Sequence, residues 1–160
     1  MNKPQLYTNG HLIRILGTPT IMSGGTRLDF ERRAGMMLWD IPADINAAIP
    51  ALPNRIYCNF RLIPMLEAVL RELMALGLHT EIRTWDGCFN VRKKMGTAQQ
   101  WSTHSWGIAI DMNAAWNPWK GRVTWSKAFL AVFRKHGFIV GADWGKQKDG
   151  MHFQIGINIL

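Results

Sequence analysis

Apolar residues return at three- and four-residue steps through one long segment, Arg61 to Gly77. Leu62, Met65, Leu66, Val69, Leu70, Leu73 and Leu76 form one stripe of a 3.6-residue period. The spacing predicts a helix, with Pro64 confined to its first turn and Gly77 suited to the position just past its end. A second helix is predicted over Trp125 to Lys135. Thr124 or Ser126 can cap its start, Arg134, Lys135 and the helix-end cation His136 lie in or near its last turn, and Gly137 ends it. Strand patterns mark three shorter stretches, 80–85, 108–113 and 151–157. In the second, Ile108 and Ile110 point one way while Ala109 and Asp111 point the other. In the third, Met151, Phe153 and Ile155 share a face, and His152 and Gln154 share the opposite one.

Residues 1–55 show neither period and are broken by Gly24-Gly25, Pro42, Pro50 and Pro53. Short strands and turns are expected there, with a strand around Leu12–Leu16. Together the elements predict an α+β fold: a small, mainly antiparallel sheet backed by two or three helices. The expected layout is a single domain over 1–160, with an irregular part at 1–55 and the core at 56–160.

Composition changes this picture little. With 48% hydrophobic and 19% charged residues, the chain reads as globular rather than disordered. No run approaches the roughly 18–20 apolar residues of a membrane span, and the first residues lack the apolar stretch of a secretory signal. Synthesis in a cytoplasm is therefore expected, with any extracellular action needing a separate route out. The balance of 19 basic to 11 acidic residues gives a net charge of +8, which favours an anionic partner. Nucleic acid, an acidic membrane surface and an anionic cell-wall polymer all qualify, as does an ordinary solvated surface. Cys58 and Cys88 are too far apart for a CxxC motif, leaving two reduced thiols or one disulfide. Eight tryptophans, six of them between Trp101 and Trp144, suit either core packing or a groove for an extended substrate.

The chemistry gathers in the second half. In "STHSWGIAID", His104 and Asp111 flank Gly107, and His152 follows on the polar face of the last predicted strand. Two imidazoles and one carboxylate are three ligands for a tetrahedral zinc, leaving the fourth position open, as in catalytic sites. His104 and Asp111 lie an odd number of residues apart, so straight strand geometry would put them on opposite faces. A bend at Gly107 would let both converge on one ion.

Ser102, His104, Gly107, Ala109 and Asp111, followed by Asp149-Gly150-Met151-His152-Phe153, resemble the zinc D-Ala-D-Ala carboxypeptidase family. That family includes the phage L-alanyl-D-glutamate endopeptidases, which are endolysins, and the stretches 84–92 and 109–119 resemble that branch. The likeness runs from about Ile56 to Gln154; residues 1–55 do not take part. It implies one zinc per chain held by His104, Asp111 and His152. Asp149 would then be the general base, and Arg83 would hold a substrate carboxylate or the tetrahedral oxyanion.

Asp143, in "ADWG", reads as a turn residue and a weaker candidate for the base. Ser102 is a candidate for a hydrogen bond in or near the site, and Trp106 and Trp144 are candidates for lining the cleft. Asn113 is expected to tie down the loop after Asp111. The family often has an acidic residue where this chain has Gln154, which can accept a hydrogen bond but brings no charge.

The resemblance implies a zinc peptidase acting on the peptidoglycan stem as a monomer, with an anionic cell wall as the surface met by its basic charge. The bond expected is L-alanyl-D-glutamate, as in a phage or prophage endolysin that reaches the wall through a separate membrane pore. D-Ala-D-Ala carboxypeptidase activity is the enzymatic alternative. A non-catalytic cationic module gripping glycan or nucleic acid is the alternative of another class, and nucleic acid is not the expected partner.

Overall fold

The computed structural model describes residues 6, 8–20 and 25–156, with side chains described from residue 29 in the second of these helices. Its helices are α1 (Asn9–Leu16), α2 (Gly25–Ala34), α3 (Ala43–Ala48), α4 (Leu62–Ala75) and α5 (Lys127–Lys135). Strands β1 (Met36–Asp40) and β2 (Arg55–Asn59) form an antiparallel pair. A second sheet, also antiparallel, contains β3 (Trp85–Gly87), β4 (Ala109–Met112), β5 (Phe138–Val140) and β6 (His152–Ile155), in the order β3-β4-β6-β5. The architecture is a single α+β domain.

The two predicted helices form for the reasons their sequences give. In α4, Leu62, Leu66, Val69, Leu70 and Leu73 are buried, Pro64 falls in the first turn, and Gly77 follows with φ +70°. Leu76, the last residue of the stripe, is exposed. Of the two candidate caps for α5, Ser126 fills the position, its Oγ accepting from the N–H of Phe129 at 3.0 Å. The aromatic face of α5 packs on β6: Phe133 lies 4.2 Å from Phe153 between ring centroids, and Trp125 stacks on Phe129 at 4.3 Å. Burying each ring stabilises the fold by about 1.5–3 kcal/mol, so this layer fixes β6 firmly.

Two expectations are corrected. Residues 9–16 are helical rather than extended, capped by the Oγ of Thr8, which accepts from the N–H of His11. Leu12 and Leu16, four apart, are both buried on one helical face, and this burial decides the local structure. More broadly, the described part of 1–55 is mainly regular and belongs to the same core, through Leu12, Leu16, Phe30, Ile45 and Ile49.

The expected strand at 80–85 is instead a 3-10 turn at Leu78–Glu81, and β3 begins only at Trp85. Side chains take the backbone groups that a ladder would have used. The Oδ1 of Asn113 accepts from the N–H groups of Arg83 and Thr84, at 2.8 and 3.0 Å, and its Nδ2 donates to the carbonyl of Glu81 at 2.7 Å. Asn113 thus ties down the loop after Asp111, as expected. The third predicted strand is real over His152–Ile155; its Ile157 lies outside the described residues, as does Gly24. Among the described residues no helix is long and apolar enough to cross a membrane.

Candidate metal centre

Strand pairing supplies the first two donors. Asp111 on β4 stands directly opposite His152 on β6, and Ala109 stands opposite Gln154. Side chains opposed in an antiparallel pair share a face, so Asp111, His152 and Gln154 turn to one side. Phe153 and Ile110 turn to the other, into the core.

His104 arrives from a 3-10 turn, Thr103–Trp106, that precedes β4. Ser102 caps this turn, its Oγ accepting from the N–H of His104 at 3.4 Å. Gly107 ends it at φ +63°, where a Cβ would lie 2.5 Å from the Met36 side chain and 2.8 Å from the backbone nitrogen of Asn59. Only glycine fits so close an approach in that conformation. Asn59 completes the tie: its N–H donates to the carbonyl of Gly107, and its Nδ2 donates to those of Ala34 and Trp106.

The three donors meet at one point. The Nε2 of His104 lies 3.2 Å from the Nδ1 of His152, and the Asp111 carboxylate lies 3.1 Å from the first and 3.2 Å from the second. Zinc ligands at about 2.0–2.1 Å in a tetrahedron stand about 3.3 Å apart, so the spacing suits one ion.

The outer partners point the same way. The Nδ1 of His104 is 2.7 Å from the carbonyl oxygen of Cys88, which can only accept, so Nδ1 carries the hydrogen and Nε2 offers its lone pair. The Nε2 of His152 donates to the Oε1 of Gln154 at 2.9 Å, which also accepts from the hydroxyl of Thr103 at 3.1 Å, leaving the Nδ1 of His152 free. Two lone pairs and a carboxylate therefore face one another in a nearly closed site: the side chains of His104, Asp111 and His152 are 4%, 17% and 7% exposed. Such a set calls for a cation, and together the three groups are a candidate metal site.

The closeness of the three groups also couples their charges. Burial alone would raise the carboxyl of Asp111, but the imidazoles of His104 and His152 beside it hold it below the usual carboxylate range. Burial would lower His152, yet Asp111 beside it raises it instead.

A cavity of about 420 Å³ opens onto this centre, lined by Asp111, His152, Gln154, Ser102, Thr103 and Asp149 among others. A second, of about 220 Å³, lies against His104 and Asp111 on the side of residues 86–90. The Oδ1 of Asp149 is buried without a hydrogen-bond partner, and burial raises its carboxyl above the ordinary range. Its backbone is pinned: its N–H donates to the carbonyl of Gly141 at 3.0 Å, and its carbonyl accepts from the N–H of His152 at 3.1 Å. A Cβ at Gly141 would lie 2.3 Å from that carbonyl oxygen. Asp143, the other aspartate considered, is engaged by the guanidinium of Arg134 through two contacts at 2.8 and 2.9 Å.

Trp144 lines the larger cavity, its ring centroid 5.2 Å from that of His152 and its Nε1 buried without a partner. Trp106 does not line either cavity. It is wholly enclosed in the core and donates from Nε1 to the carbonyl of Gly17 at 2.8 Å, so it packs rather than meets a ligand. Arg83 is exposed, its guanidinium 5.0 Å from the ring of Trp116, and also lies outside both linings.

Sequence reasoning missed Arg92, which lines both cavities, and Asn9, Leu12 and Trp119, which line the larger one. Arg92 was visible as one of a basic run, Arg92-Lys93-Lys94, but its facing depends on the fold. No sequence signal marks a backbone carbonyl such as that of Cys88.

Comparison with curated proteins and with solved structures gives no significant match. One family model, described as D-alanyl-D-alanine carboxypeptidase, matches residues 95–155, the stretch that contains His104, Asp111, Asp149 and His152.

Proposed function

We propose that the chain is a zinc metallopeptidase that hydrolyses a peptide bond of the bacterial peptidoglycan stem, acting as an L-alanyl-D-glutamate endopeptidase. The observation that carries this reading is the pairing of a three-donor centre with the unpartnered buried carboxylate oxygen of Asp149 in one cavity. The matching family model supports peptidase chemistry over a metal site of purely structural kind. His104, Asp111 and His152 would hold the ion, which when bound supplies a Lewis acid and lets water ionise near neutral pH.

The protein's own residues do the rest. Asp149 accepts the proton of the attacking water and passes it to the leaving amine; its raised proton affinity, which follows from burial, suits both transfers. Gln154 and the carbonyl of Cys88 fix the two histidine tautomers. The unpartnered Nε1–H of Trp144 is a donor for a substrate carbonyl. Seated on an anionic wall, the net charge of +8 favours encounter.

Digestion of purified peptidoglycan tests this reading. Release of stem peptides with new N-terminal D-Glu is expected. Asp149→Asn should lower kcat by about 10²–10⁴-fold with zinc content unchanged. Free D-Ala as the product would instead favour a carboxypeptidase, in keeping with the description of the family model. Absence of any product from zinc-loaded protein would overturn the peptidase reading.

A further inference from the structure

We infer that the larger cavity contains a sugar subsite, in which Trp119 and Met95 hold the N-acetylmuramoyl ring that carries the stem peptide. The inference rests on the peptidase reading and deepens it: the substrate is the glycan-linked stem, cut beside its sugar.

Of the six tryptophans between Trp101 and Trp144, Trp106 and Trp125 are buried in the core, whereas Trp119 stays outside it, 36% exposed, and lines the cavity. Its backbone holds it there. Trp119 pairs with Asp149 in an antiparallel bridge, and the N–H of Lys120 donates to the carbonyl of Lys148 at 2.6 Å. The N–H of Gly121 closes a turn onto the carbonyl of Pro118 at 2.8 Å, with Lys120 at φ +58°, a region that residues other than glycine seldom occupy.

A buried amide braces this turn from behind. The Oδ1 of Asn117 accepts from the N–H and the hydroxyl of Thr124, at 2.6 and 3.1 Å, and its Nδ2 donates to the carbonyl of Asn113 at 3.3 Å. A strained turn thus keeps a large ring open to the cavity beside Asp149, where core packing gives no reason for it.

The hairpin 92–102 supplies the second apolar group. The carbonyl of Arg92 accepts from the N–H of Ser102 at 2.9 Å, the N–H of Lys94 donates to the carbonyl of Gln100 at 2.8 Å, and Lys93 bridges to Trp101. The side chain of Asn9 on α1 pairs with both the N–H and the carbonyl of Trp101, which fixes the hairpin against the N-terminal helix. Met95 lines the same cavity while 67% exposed. The cavity therefore joins two exposed apolar side chains to the polar group of Asp111, Asp149, His152 and Gln154.

The chemistry of the stem selects the occupant. Around the L-alanyl-D-glutamate bond the peptide offers a methyl group and a carboxylate-bearing chain, neither of them a broad apolar surface. The muramoyl sugar offers one. Its lactyl group acylates L-Ala, so a single residue separates the pyranose from the bond. The axial C–H groups of that ring form a flat, slightly positive face that suits the negative face of an indole. Lys120 covers one face of the Trp119 ring at 4.2 Å, and the sugar takes the other. A thioether adapts to the acetyl and lactyl methyl groups. In a carboxypeptidase the sugar would lie at the opposite end of the stem from the bond, out of reach of this subsite.

The test compares L-Ala-γ-D-Glu-L-Lys-D-Ala-D-Ala carrying an N-acetylmuramoyl group with the same peptide carrying only an N-lactoyl group. With zinc-loaded protein, kcat/KM should be about 10-fold higher for the muramoyl peptide. Trp119→Ala should bring that ratio close to one, Trp119→Tyr should keep part of it, and Met95→Ser should lower it. A second measurement needs neither zinc nor turnover. In saturation-transfer NMR on the metal-free protein, N-acetylmuramoyl-L-alanine should show transfer to its ring protons, lost in Trp119→Ala, and N-lactoyl-L-alanine should show none. A wild-type ratio near one, or a ratio unchanged in Trp119→Ala, would overturn the subsite. Trp119-dependent binding with neither peptide cleaved would sink the peptidase reading but keep the subsite. Cleavage indifferent to the sugar would sink the subsite alone, and neither binding nor cleavage would sink both.

Discussion

His104 and His152 offer different ring nitrogens to the same point, and the difference is set by what holds the other nitrogen. A backbone carbonyl holds His104, whereas Gln154 holds His152. The neutral glutamine therefore does the orienting part of an acidic neighbour's work, without adding negative charge. Gln154→Ala should weaken zinc binding by about 10–100-fold, read by competition against a chromophoric chelator. Unchanged affinity would mean that the packing of the imidazole alone fixes its tautomer. The two thiols belong to this scale as well. Cys58 and Cys88 are buried and unbridged, and burial pushes the Cys58 thiol up to about 12. Neither should react with iodoacetamide at pH 8 in the folded protein, and both should react after denaturation; rapid labelling of the native chain would contradict their burial.

Among the elements, β4 and β6 carry the site because their register sets Asp111 against His152. That arrangement was readable in the sequence, since alternation on each strand separates Asp111 and His152 from Ile110 and Phe153. Helices α4 and α5 were readable for the same kind of reason. The strand expected at 80–85 was not, because Asn113, some thirty residues onward, occupies its backbone groups. Helix α1 was hidden in a short run of Leu and Ile that suits either period, and only its docking on the core decides. Trp106 shows a further limit: a tryptophan next to a ligand reads as a cleft residue until the fold encloses it.

Gly107 was rightly read as a bend, and its crowding by Met36 and Asn59 adds the reason no side chain replaces it. Gly107→Ala should cost about 1–3 kcal/mol of stability and also reduce zinc affinity, because the strain falls on the turn that holds His104. Denaturant titration alongside chelator competition checks both; an unaltered midpoint would show that the turn is not constrained.

At the scale of the molecule, the fold brings three lines of chain to one place: the N-terminal helix, the hairpin 92–102 and the β4–β6 ladder. Helices α4 and α5 are joined at their ends by Glu72, which accepts from Lys135 at 2.8 Å and from His136 at 2.7 Å. These contacts, the one with Lys135 first, hold Glu72 below its ordinary value of 4.5. A depressed carboxyl stabilises above that ordinary value and loses its effect as acid protonates it in the fold. Glu72→Gln should therefore lower Tm at pH 6, with the gap to the wild type closing as the pH falls well below 4.5. A gap that persisted in acid would show that the effect is not ionic.

Metal linkage acts on the whole domain too, since zinc at a thousandfold above its Kd should add about 4 kcal/mol. The proposed chemistry depends on one zinc held jointly by His104, Asp111 and His152. Its most direct test is zinc titration of the metal-free protein, with X-ray absorption at the zinc edge. One zinc per chain is expected, with two imidazole nitrogens and a carboxylate oxygen around it, and with tight binding lost in Asp111→Ala. A folded chain that takes up no stoichiometric zinc, or that binds it as tightly without Asp111, would contradict it.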